Sequence, residues 1–449
     1  MSTRDLDVVL LGATGFVGRL IAAHLAQTAP EGARIAFAGR SRRKLDDLLA
    51  EVGPAAKGIE LIEIDVRDWA DLQALVARTK VVATTVGPYI RDGMPLVRAC
   101  AAAGTHYCDL TGEVLFVRRS ADECHETARE SGARIVHSVG FDSVPSDLGV
   151  WQTARTAKDA GEGELEDTVL AVKALKGGLS GGTIDSARQQ AIAARADSVA
   201  RTVLADRYSL SPDREHEPKG DEGRVDGRSP HTPSAKRPAA LGPVASVTPL
   251  GPAVEGLVRS GLKAVSVRQD EDGRWTAPFV MAEFNTRIVR RSNALLNWAY
   301  GRGFRYREVT DLGRSPQAPA RGALLSGGLV GALAALSFAP TRAVLDRVLP
   351  KPGEGPSQKS MGAGRFVMDI TARTSTGARF RTRVAADKDP GYTGTAVMMG
   401  QAALALALDE DRLPDMSGVL TPATGIGGVL IERLVAQGFT FDTEQLPSD

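Results

Sequence analysis

The sequence predicts an α/β protein: an N-terminal Rossmann domain with a doubly wound parallel sheet, followed by a second α+β domain. The chain has 449 residues, which exceeds one ordinary core and favours two domains. Short β-branched runs alternate with helix-like stretches up to about residue 138, and a glycine-rich turn follows the first run. We therefore assign residues 1–147 to an NAD(P)-binding domain and 148–449 to a substrate or oligomerisation domain.

Six runs rich in apolar and β-branched residues are the predicted strands of the first sheet. Several are apolar along most of their length, as expected of strands buried on both faces of a parallel sheet. Helical spacing separates them, for example at Leu20, Ile21, His24 and Leu25 after the first run. The six runs are Asp7–Leu11, Arg34–Ala38, Glu60–Ile64, Val81–Thr85, His106–Asp109 and Arg134–Ser138.

The regular alternation ends after residue 147. Residues 207–243 are polar and rich in proline, glycine and charge, which predicts a flexible insertion, and 350–364 resemble them in composition. The segment of about 390–440 is a candidate to pack back on the Rossmann domain. Two segments alternate like paired strands and a third is alanine-rich and helical: Phe366–Arg373, Arg379–Ala386 and Thr393–Leu408.

Composition limits the partners and the compartment. Lysine and arginine total 55 against 54 acidic residues, so the chain has no overall field that would attract nucleic acid. The three cysteines form no CxxC pair, and the N-terminus lacks the long apolar run of an export signal, which together predict a cytoplasmic protein. The histidines show no metal-ligand spacing, so we expect no metal.

An uncharged segment at 322–341 lies between Arg321 and Arg342. Its length is close to the roughly 20 residues of a membrane span, but glycines dilute it and Pro340 interrupts it. Three interpretations stay open, in this order: a buried core or dimer helix, a helix lying on a membrane or lipid surface, and a true span.

The sequence VVLLGATGFVG indicates a dinucleotide site. Gly12 permits a tight turn, Gly15 lets the backbone approach a pyrophosphate, and Gly18 lets the helix pack closely against the strand. A plain strand–helix turn is the alternative, but the position at the head of a long alternating pattern favours the cofactor. The turn is completed by Ala13, Thr14 and Phe16.

The end of the second strand favours NADPH over NADH. An NAD enzyme usually has a carboxylate there, whereas this chain has Arg40 followed by Ser41, and a guanidinium can bind a 2′-phosphate. The basic residues at 42–44 could instead form the exposed first turn of a helix.

Two further positions complete the predicted cofactor site. Asp65, after the third strand, could reach the adenine or cap the helix ahead of Trp69. Gly87 and Pro88 end the fourth strand, where we expect the chain to bend under the nicotinamide end.

Candidates for catalysis cluster at the carboxyl ends of strands four to six, where Rossmann ligands bind. Tyr89 could donate a hydrogen bond or simply pack beneath the cofactor. We favour Asp142 and Ser143 as functional, although a cap for the next helix is the alternative in that segment. No Tyr-x-x-x-Lys pair occurs. The full set is Tyr89, Tyr107, Asp109, Thr111, Glu113, Asp142, Ser143 and Asp147.

Five motifs resemble those of the saccharopine dehydrogenase-like oxidoreductases, and most closely the actinobacterial trans-acting enoyl reductases. They are GATGFVG, AGR, TTVGPY, AAAGTHYCDLTGE and GFDSVPSDLG, with GGTIDSA at 181–187 and GVLTPATG at 418–425 extending the match more thinly. The resemblance implies an NADPH-dependent partner of polyketide synthases that lack a working enoyl reductase domain, active in complex-lipid synthesis.

Enoyl reduction would require a proton donor for the α-carbon, a donor for the thioester carbonyl and a dry slot for an acyl chain. Two other functions stay open. A saccharopine-type dehydrogenase would need arginines in the second domain, for which Arg287, Arg290 and Arg291 are candidates. A non-catalytic NADP-binding protein on lipid surfaces would make peripheral contact through 322–341. A homodimer is a further expectation.

Overall fold

The first sheet is parallel throughout and holds the six predicted strands. The structure is a computed structural model that describes residues 4–177, 181–218, 267–270, 272–337 and 361–447. The seven strands occur in the spatial order β13-β6-β5-β4-β1-β2-β3. The six predicted strands, β1 to β6, differ from their predicted bounds by no more than two residues, whereas β13 was not predicted. The seven strands are β1 Leu6–Leu11, β2 Ile35–Gly39, β3 Glu60–Glu63, β4 Thr79–Thr84, β5 His106–Asp109, β6 Arg134–Val136 and β13 Gly418–Leu420.

Helices cover both faces of this sheet, and every residue of β1 and β2 is therefore buried. The helix after β1 buries Gly18, Ile21, Ala22 and Leu25. Of the four residues used to predict it, Ile21 and Leu25 are buried, whereas Leu20 and His24 are partly exposed. The helices of this part are α1 Phe16–Thr28, α2 Arg42–Val52, α3 Trp69–Arg78, α4 Tyr89–Asp92, α5 Met94–Ala103, α6 Val114–Ser131 and α7 Val144–Asp159, with a 3₁₀ turn at Gly53–Ala56.

The second sheet is mixed, with the order β14-β12-β11-β7-β10-β9-β8. Only the pairing of β10 with β7 is parallel among its described neighbours. The two strands predicted from alternation, β11 and β12, form an antiparallel pair. The strands are β7 Leu165–Lys176, β8 Arg268–Gln269, β9 Trp275–Pro278, β10 Arg305–Gly313, β11 Arg365–Thr374, β12 Arg379–Ala386 and β14 Thr440–Leu446.

Helix α7 connects the two sheets and runs through the boundary drawn at residue 147. Its Gly149 lies against the second sheet, where a Cβ would stand 2.3 Å from the Ile370 side chain and 3.0 Å from Val384. The close approach of helix and sheet therefore requires glycine at this position.

The remaining helices belong to the second half of the chain. The predicted helix at Thr393–Leu408 begins at Thr395, after a π-helical turn at Pro390–Gly394, and is buried almost all round. Its Gln401 amide lies 2.9 Å from the His24 ring of α1, so this segment packs on the Rossmann sheet. The helices are α8 Gly181–Ala196, α9 Ser198–Ala205, α10 Ala282–Leu295, α11 Ala318–Ser337, α12 Thr395–Leu408, α13 Pro422–Gly425 and α14 Gly428–Ala436, with a 3₁₀ turn at Glu410–Arg412.

The structure describes the first part of the predicted flexible insertion, 207–218, which forms turns without a helix or strand, whereas 219–243 lie outside the described residues. Tyr208 and Leu210 are 2% and 1% exposed. The Arg290 guanidinium lies 4.6 Å from the centre of the Tyr208 ring, and Arg291 donates to the Leu210 carbonyl at 2.8 Å. These contacts with α10 order a segment whose composition alone suggests a loop.

Helix α11 covers most of the uncharged segment 322–341, and 338–341 lie outside the described residues. Leu324 and Leu325 are 78% and 57% exposed. Burial in the core of one chain, one half of the first interpretation, is therefore wrong for this face, whereas burial in a dimer stays a prediction. None of the helices that the structure describes has the length and apolar character needed to cross a bilayer.

A buried carboxylate, Asp147, joins α7 to the second half of the chain. It accepts hydrogen bonds from the Ser292 hydroxyl of α10 and from the Ala423 amide of α13, the latter at 2.8 Å. Burial raises the pKa of Asp147 to about 7, although these hydrogen bonds favour the charged form.

A second buried carboxylate, Glu308 on β10, lies in the same region. The Tyr306 hydroxyl donates to it at 2.8 Å and the Asn285 amide at 3.0 Å. Burial likewise raises the pKa of Glu308 to about 7. Both carboxyls therefore favour the protonated form on folding.

We expect the stability of the protein to fall as the pH rises from about 4 through 7. Each carboxyl has a pKa near 7 when folded and near 4 when unfolded, so the folded chain holds more protons in this range. Asp147→Asn and Glu308→Gln should each reduce the decline in Tm between pH 5 and pH 8. The exposed Glu130→Gln is the control. A decline as steep as that of the wild type in both variants would contradict the assignment.

Candidate functional site

The glycine-rich turn after β1 has no room for larger residues. Gly12 has a φ of +86°, and a Cβ there would lie 2.6 Å from the Thr85 hydroxyl oxygen. At Gly18 a Cβ would lie 2.2 Å from the Gly12 carbonyl oxygen. Gly15 is exposed and precedes α1 without any side-chain cap, so the first amides of the helix are open to a phosphate. The turn therefore fits the pyrophosphate of a dinucleotide.

The other residues of the turn are fixed by neighbouring segments. Ala13 is buried and donates its amide to the Ala38 carbonyl of β2 at 3.2 Å, whereas Thr14 is partly exposed. The Phe16 ring packs edge-on against Tyr392, with ring centres 5.1 Å apart. Tyr392 comes from the π-helical turn ahead of α12, and the local sequence carried no signal of this contact.

Arg40 is exposed at the end of β2 and makes no hydrogen bond or ion pair with any residue that the structure describes. Arg42 and Arg43 are instead paired with carboxylates one turn further along α2, at 3.2 and 3.9 Å. The Ser41 hydroxyl caps this helix by accepting from the Lys44 amide. The Arg40 guanidinium thus remains open to a ligand, as a 2′-phosphate site requires.

Asp65 does not cap α3, so that alternative is wrong. The cap is Asp68, which accepts from the Ala70 amide at 2.8 Å. Asp65 is exposed and accepts from the Arg67 amide at 3.0 Å within a turn. Its contact with an adenine stays a prediction.

The Gly87–Pro88 turn follows β4 and contains a cis peptide bond. It leads into the short helix α4, whose first two amides, Tyr89 and Ile90, donate to the Glu113 carboxylate at 3.1 and 2.6 Å. Glu113 precedes α6 but its side chain does not cap that helix. The Glu113 carboxylate therefore holds the turn after β4.

The Tyr89 phenol has both of its hydrogen-bonding roles filled. It donates to the Thr84 carbonyl at 3.1 Å and accepts from the Leu110 amide at 3.3 Å, and the residue is 6% exposed. Burial, together with the charge of Asp109, raises the pKa of Tyr89 well above its usual value. The geometry supports the packing interpretation and leaves no free phenol for a substrate.

Asp109 is fully buried and has four hydrogen-bonding neighbours. Its carboxylate accepts from the Tyr107 hydroxyl at 2.9 Å and lies 2.7 Å from Nδ1 of His137. It also accepts from the amides of Thr111 and Ser138, each at 3.0 Å. Asp109 is thus inaccessible to substrate, and it fixes the loops that follow β5 and β6.

Asp142 and Ser143, the two favoured catalytic candidates, differ in access. Ser143 is fully buried and donates to the Asn285 side chain of α10 at 3.3 Å, so its hydroxyl points away from any open ligand site. Asp142 is partly exposed and has no hydrogen-bond or ion-pair partner among the described residues. Burial, and secondarily the charge of Asp109, raises the pKa of Asp142 to about 6.

The three arginines of α10 do not line a substrate pocket, contrary to the expectation for a saccharopine-type enzyme. All three are buried, at 3% to 6% exposure. Arg287 donates to the carbonyls of Leu204 and Asp206, and Arg291 to that of Val419. Arg287 and Arg291 thus donate to backbone carbonyls, and they hold the end of α9 and the residues that follow it in place.

The two more distant motifs lie where the halves of the chain meet. Ser186, in GGTIDSA, donates to Glu113 at 2.8 Å. Ala423, in GVLTPATG, donates to Asp147. The Thr395 hydroxyl at the start of α12 accepts from the Phe141 amide beside Asp142 at 3.0 Å. The resemblance marked the two motifs, but no pattern in the sequence indicated Thr395 or Asn285.

Comparison with known proteins agrees with this geometry. Residues 8–136 match the family model for the saccharopine dehydrogenase NADP binding domain. A trans-acting enoyl reductase of Mycobacterium tuberculosis is 42% identical over 448 residues, and one of Mycobacterium ulcerans is equally similar. Another M. tuberculosis protein, provisionally given the same name, is 45% identical over 449 residues. Each of these matches covers 99% of both chains.

Among solved structures, the saccharopine dehydrogenase (L-Glu forming) of Saccharomyces cerevisiae has a similar fold. Its TM-score is 0.52 at 13% sequence identity, and the match covers 98% of this chain and 99% of that one. At this identity the likeness concerns the fold alone.

We expect Gly18→Ala to abolish binding of NADPH and to destabilise the protein by about 1–3 kcal/mol, because the new methyl group would overlap the Gly12 carbonyl. Fluorescence titration and thermal unfolding measure the two effects. Gly303→Ala is the control, since a Cβ there meets nothing within 4 Å. Unchanged NADPH affinity in Gly18→Ala would argue against this turn as the cofactor site.

Proposed function

Because the chain belongs to the trans-acting enoyl reductase family of saccharopine dehydrogenase-like oxidoreductases, we propose that it reduces an α,β-unsaturated acyl or polyketide thioester in complex-lipid synthesis. It is an NADPH-dependent oxidoreductase. We further propose that a partner synthase carries the substrate, as the name of the relatives suggests.

The observation that carries this proposal is the position and state of Asp142. It follows β6 at the carboxyl edge of the sheet, where Rossmann proteins bind their ligands. It has no partner among the described residues, and its pKa of about 6 keeps a useful fraction protonated near neutral pH. A carboxylic acid of this kind is suited to protonate a carbon next to a thioester.

Different residues would bind the cofactor, donate the proton and position the loops. The glycine turn and the start of α1 hold the pyrophosphate, and Arg40 holds the 2′-phosphate. When bound, NADPH supplies the hydride for the β-carbon. The electron pair of the double bond then resides on the α-carbon and thioester oxygen, and Asp142 donates its proton to the α-carbon. The buried Tyr89 and Asp109 keep the surrounding loops in place.

A second candidate is a non-catalytic NADP-binding protein on a lipid surface, and the exposure of Leu324 and Leu325 on α11 favours it. Peripheral contact through 322–341, or a homodimer through the same face, would each cover these side chains. Oxidation of NADPH that depends on an added enoyl thioester distinguishes the enzyme from this alternative. The saccharopine-type alternative loses its support, because the α10 arginines bind backbone carbonyls.

We expect Arg40→Ala to weaken NADPH binding about 10- to 100-fold, because a charge-assisted hydrogen bond contributes roughly 1.5–3 kcal/mol. Binding of NADH, which lacks the 2′-phosphate, should not change. Fluorescence titration with both nucleotides measures the effect. Arg43→Ala is the control, because its side chain is 82% exposed and already paired with Asp47. Equal losses for NADPH and NADH in Arg40→Ala would refute the assignment.

We expect Asp142→Asn to lower enoyl-thioester-dependent NADPH oxidation by about 10²- to 10⁴-fold while leaving NADPH affinity unchanged. The wild-type rate should fall as the pH rises through about 6, because only the protonated acid can donate. Asp411→Asn, at an exposed position, serves as the control. A variant with wild-type turnover would exclude Asp142 as the proton donor.

A further inference from the structure

Helix α8 of the second half of the chain docks onto the loop that follows β5. The Ser186 hydroxyl donates to the Glu113 carboxylate at 2.8 Å. One turn later, Gln190 accepts from the Val114 amide at 2.8 Å and donates to the Gly112 carbonyl at 3.3 Å. These three hydrogen bonds define the position of α8 relative to the Rossmann sheet.

Glu113 connects this contact to the turn after β4. It is fully buried, and the carboxylate oxygen that accepts from Ser186 also accepts from the Tyr89 amide. Its other oxygen accepts from the Ile90 amide at 2.6 Å. The two amides directly follow Gly87–Pro88, so one carboxylate joins α8 to the turn expected beneath the nicotinamide.

The backbone of Glu113 is itself fixed. Its amide donates to the Thr111 hydroxyl at 3.1 Å, and the Thr111 amide donates to the buried Asp109. Because the backbone is held in this way, the Glu113 side chain cannot follow a shift of α8 without losing one of its partners. If α8 moved away, the buried Glu113 carboxylate would lose the hydrogen bond from the Ser186 hydroxyl, and this loss would cost free energy.

We propose that Glu113 is a positioning residue through which α8 sets the Gly87–Pro88 turn, and with it the nicotinamide half of the bound cofactor. The inference rests on the proposed NADPH-dependent function and on the expectation, from the sequence, that the nicotinamide half lies over the Gly87–Pro88 turn. It assigns to the Ser186–Glu113 contact a role in binding one end of NADPH, whereas Arg40 and the glycine turn serve the other end.

The test compares NADPH with adenosine 2′,5′-bisphosphate, which contains the 2′-phosphate and adenosine but lacks the nicotinamide half. Ser186→Ala removes one hydroxyl and keeps both backbone bonds of Glu113. We expect its NADPH affinity to fall about 5- to 10-fold, the effect of one hydrogen bond, with unchanged affinity for the bisphosphate. Ser186→Thr, which keeps a hydroxyl, should restore NADPH binding.

Two further variants complete the experiment. In Glu113→Gln, the affinity for NADPH should fall further than in Ser186→Ala, with unchanged affinity for the bisphosphate. The reason is that the NH2 group of glutamine cannot accept hydrogen bonds from the donors that now face the carboxylate. Ser198→Ala, an exposed serine of α9 whose hydroxyl has no partner among the described residues, is the control. If Glu113→Gln fails to fold, the NADPH affinities of Ser186→Ala and Ser186→Thr still test the positioning role.

The outcomes separate this inference from the proposed function. Unchanged NADPH affinity in Ser186→Ala, or equal losses for NADPH and the bisphosphate, would overturn the positioning role. Wild-type protein that binds NADPH but does not oxidise it with any enoyl thioester would overturn the proposed reaction instead. Even without turnover, the ratio of the affinities for NADPH and the bisphosphate would still test the positioning role of Glu113.

Discussion

Two buried carboxylates, Asp109 and Glu113, determine the arrangement of the carboxyl edge of the first sheet. A buried carboxylate without donors is costly, so each must keep the amides and hydroxyls that surround it. Those donors belong to β5 itself, to the loops after β4, β5 and β6, and to α8. The Asp109 and Glu113 carboxylates therefore hold the loops that carry Pro88, Leu110 and Asp142 in one arrangement. Both carboxylates are fully buried and out of reach of a substrate.

The sequence predicted the first six strands, because most of them contain a short apolar run that is buried on both faces. The exception in burial is the edge strand β3, whose Glu60 and Glu63 are exposed. The antiparallel pair β11 and β12 was equally predictable from alternation. It did not predict β13, since three residues carry no periodicity and their strand state depends on pairing with β6. The burial of Tyr208 and Leu210 was not predictable for a similar reason, because it depends on contacts with arginines of α10.

The candidate site likewise has features that the sequence predicts and features that only the fold reveals. The glycine turn and Arg40 were predictable because the signal and the chemistry lie within a few neighbouring residues. The states of Tyr89 and Ser143 were not, because their hydroxyls are occupied by Leu110 and Asn285, partners distant in sequence. Asp142 and Ser143 are adjacent and looked equivalent, yet only the fold shows that one is open and the other buried.

The pairing of β13 with β6 also affects how the protein is made. The edge strand β13 comes from residues far along the chain from β6, so a nascent chain on the ribosome leaves β6 with an unpaired edge until Gly418–Leu420 have been made. Helix α12, which covers the same sheet, also emerges late. Completion of the first sheet therefore depends on synthesis of α12 and β13, and a fragment cut after α7 would expose the unpaired edge of β6 to association with other chains.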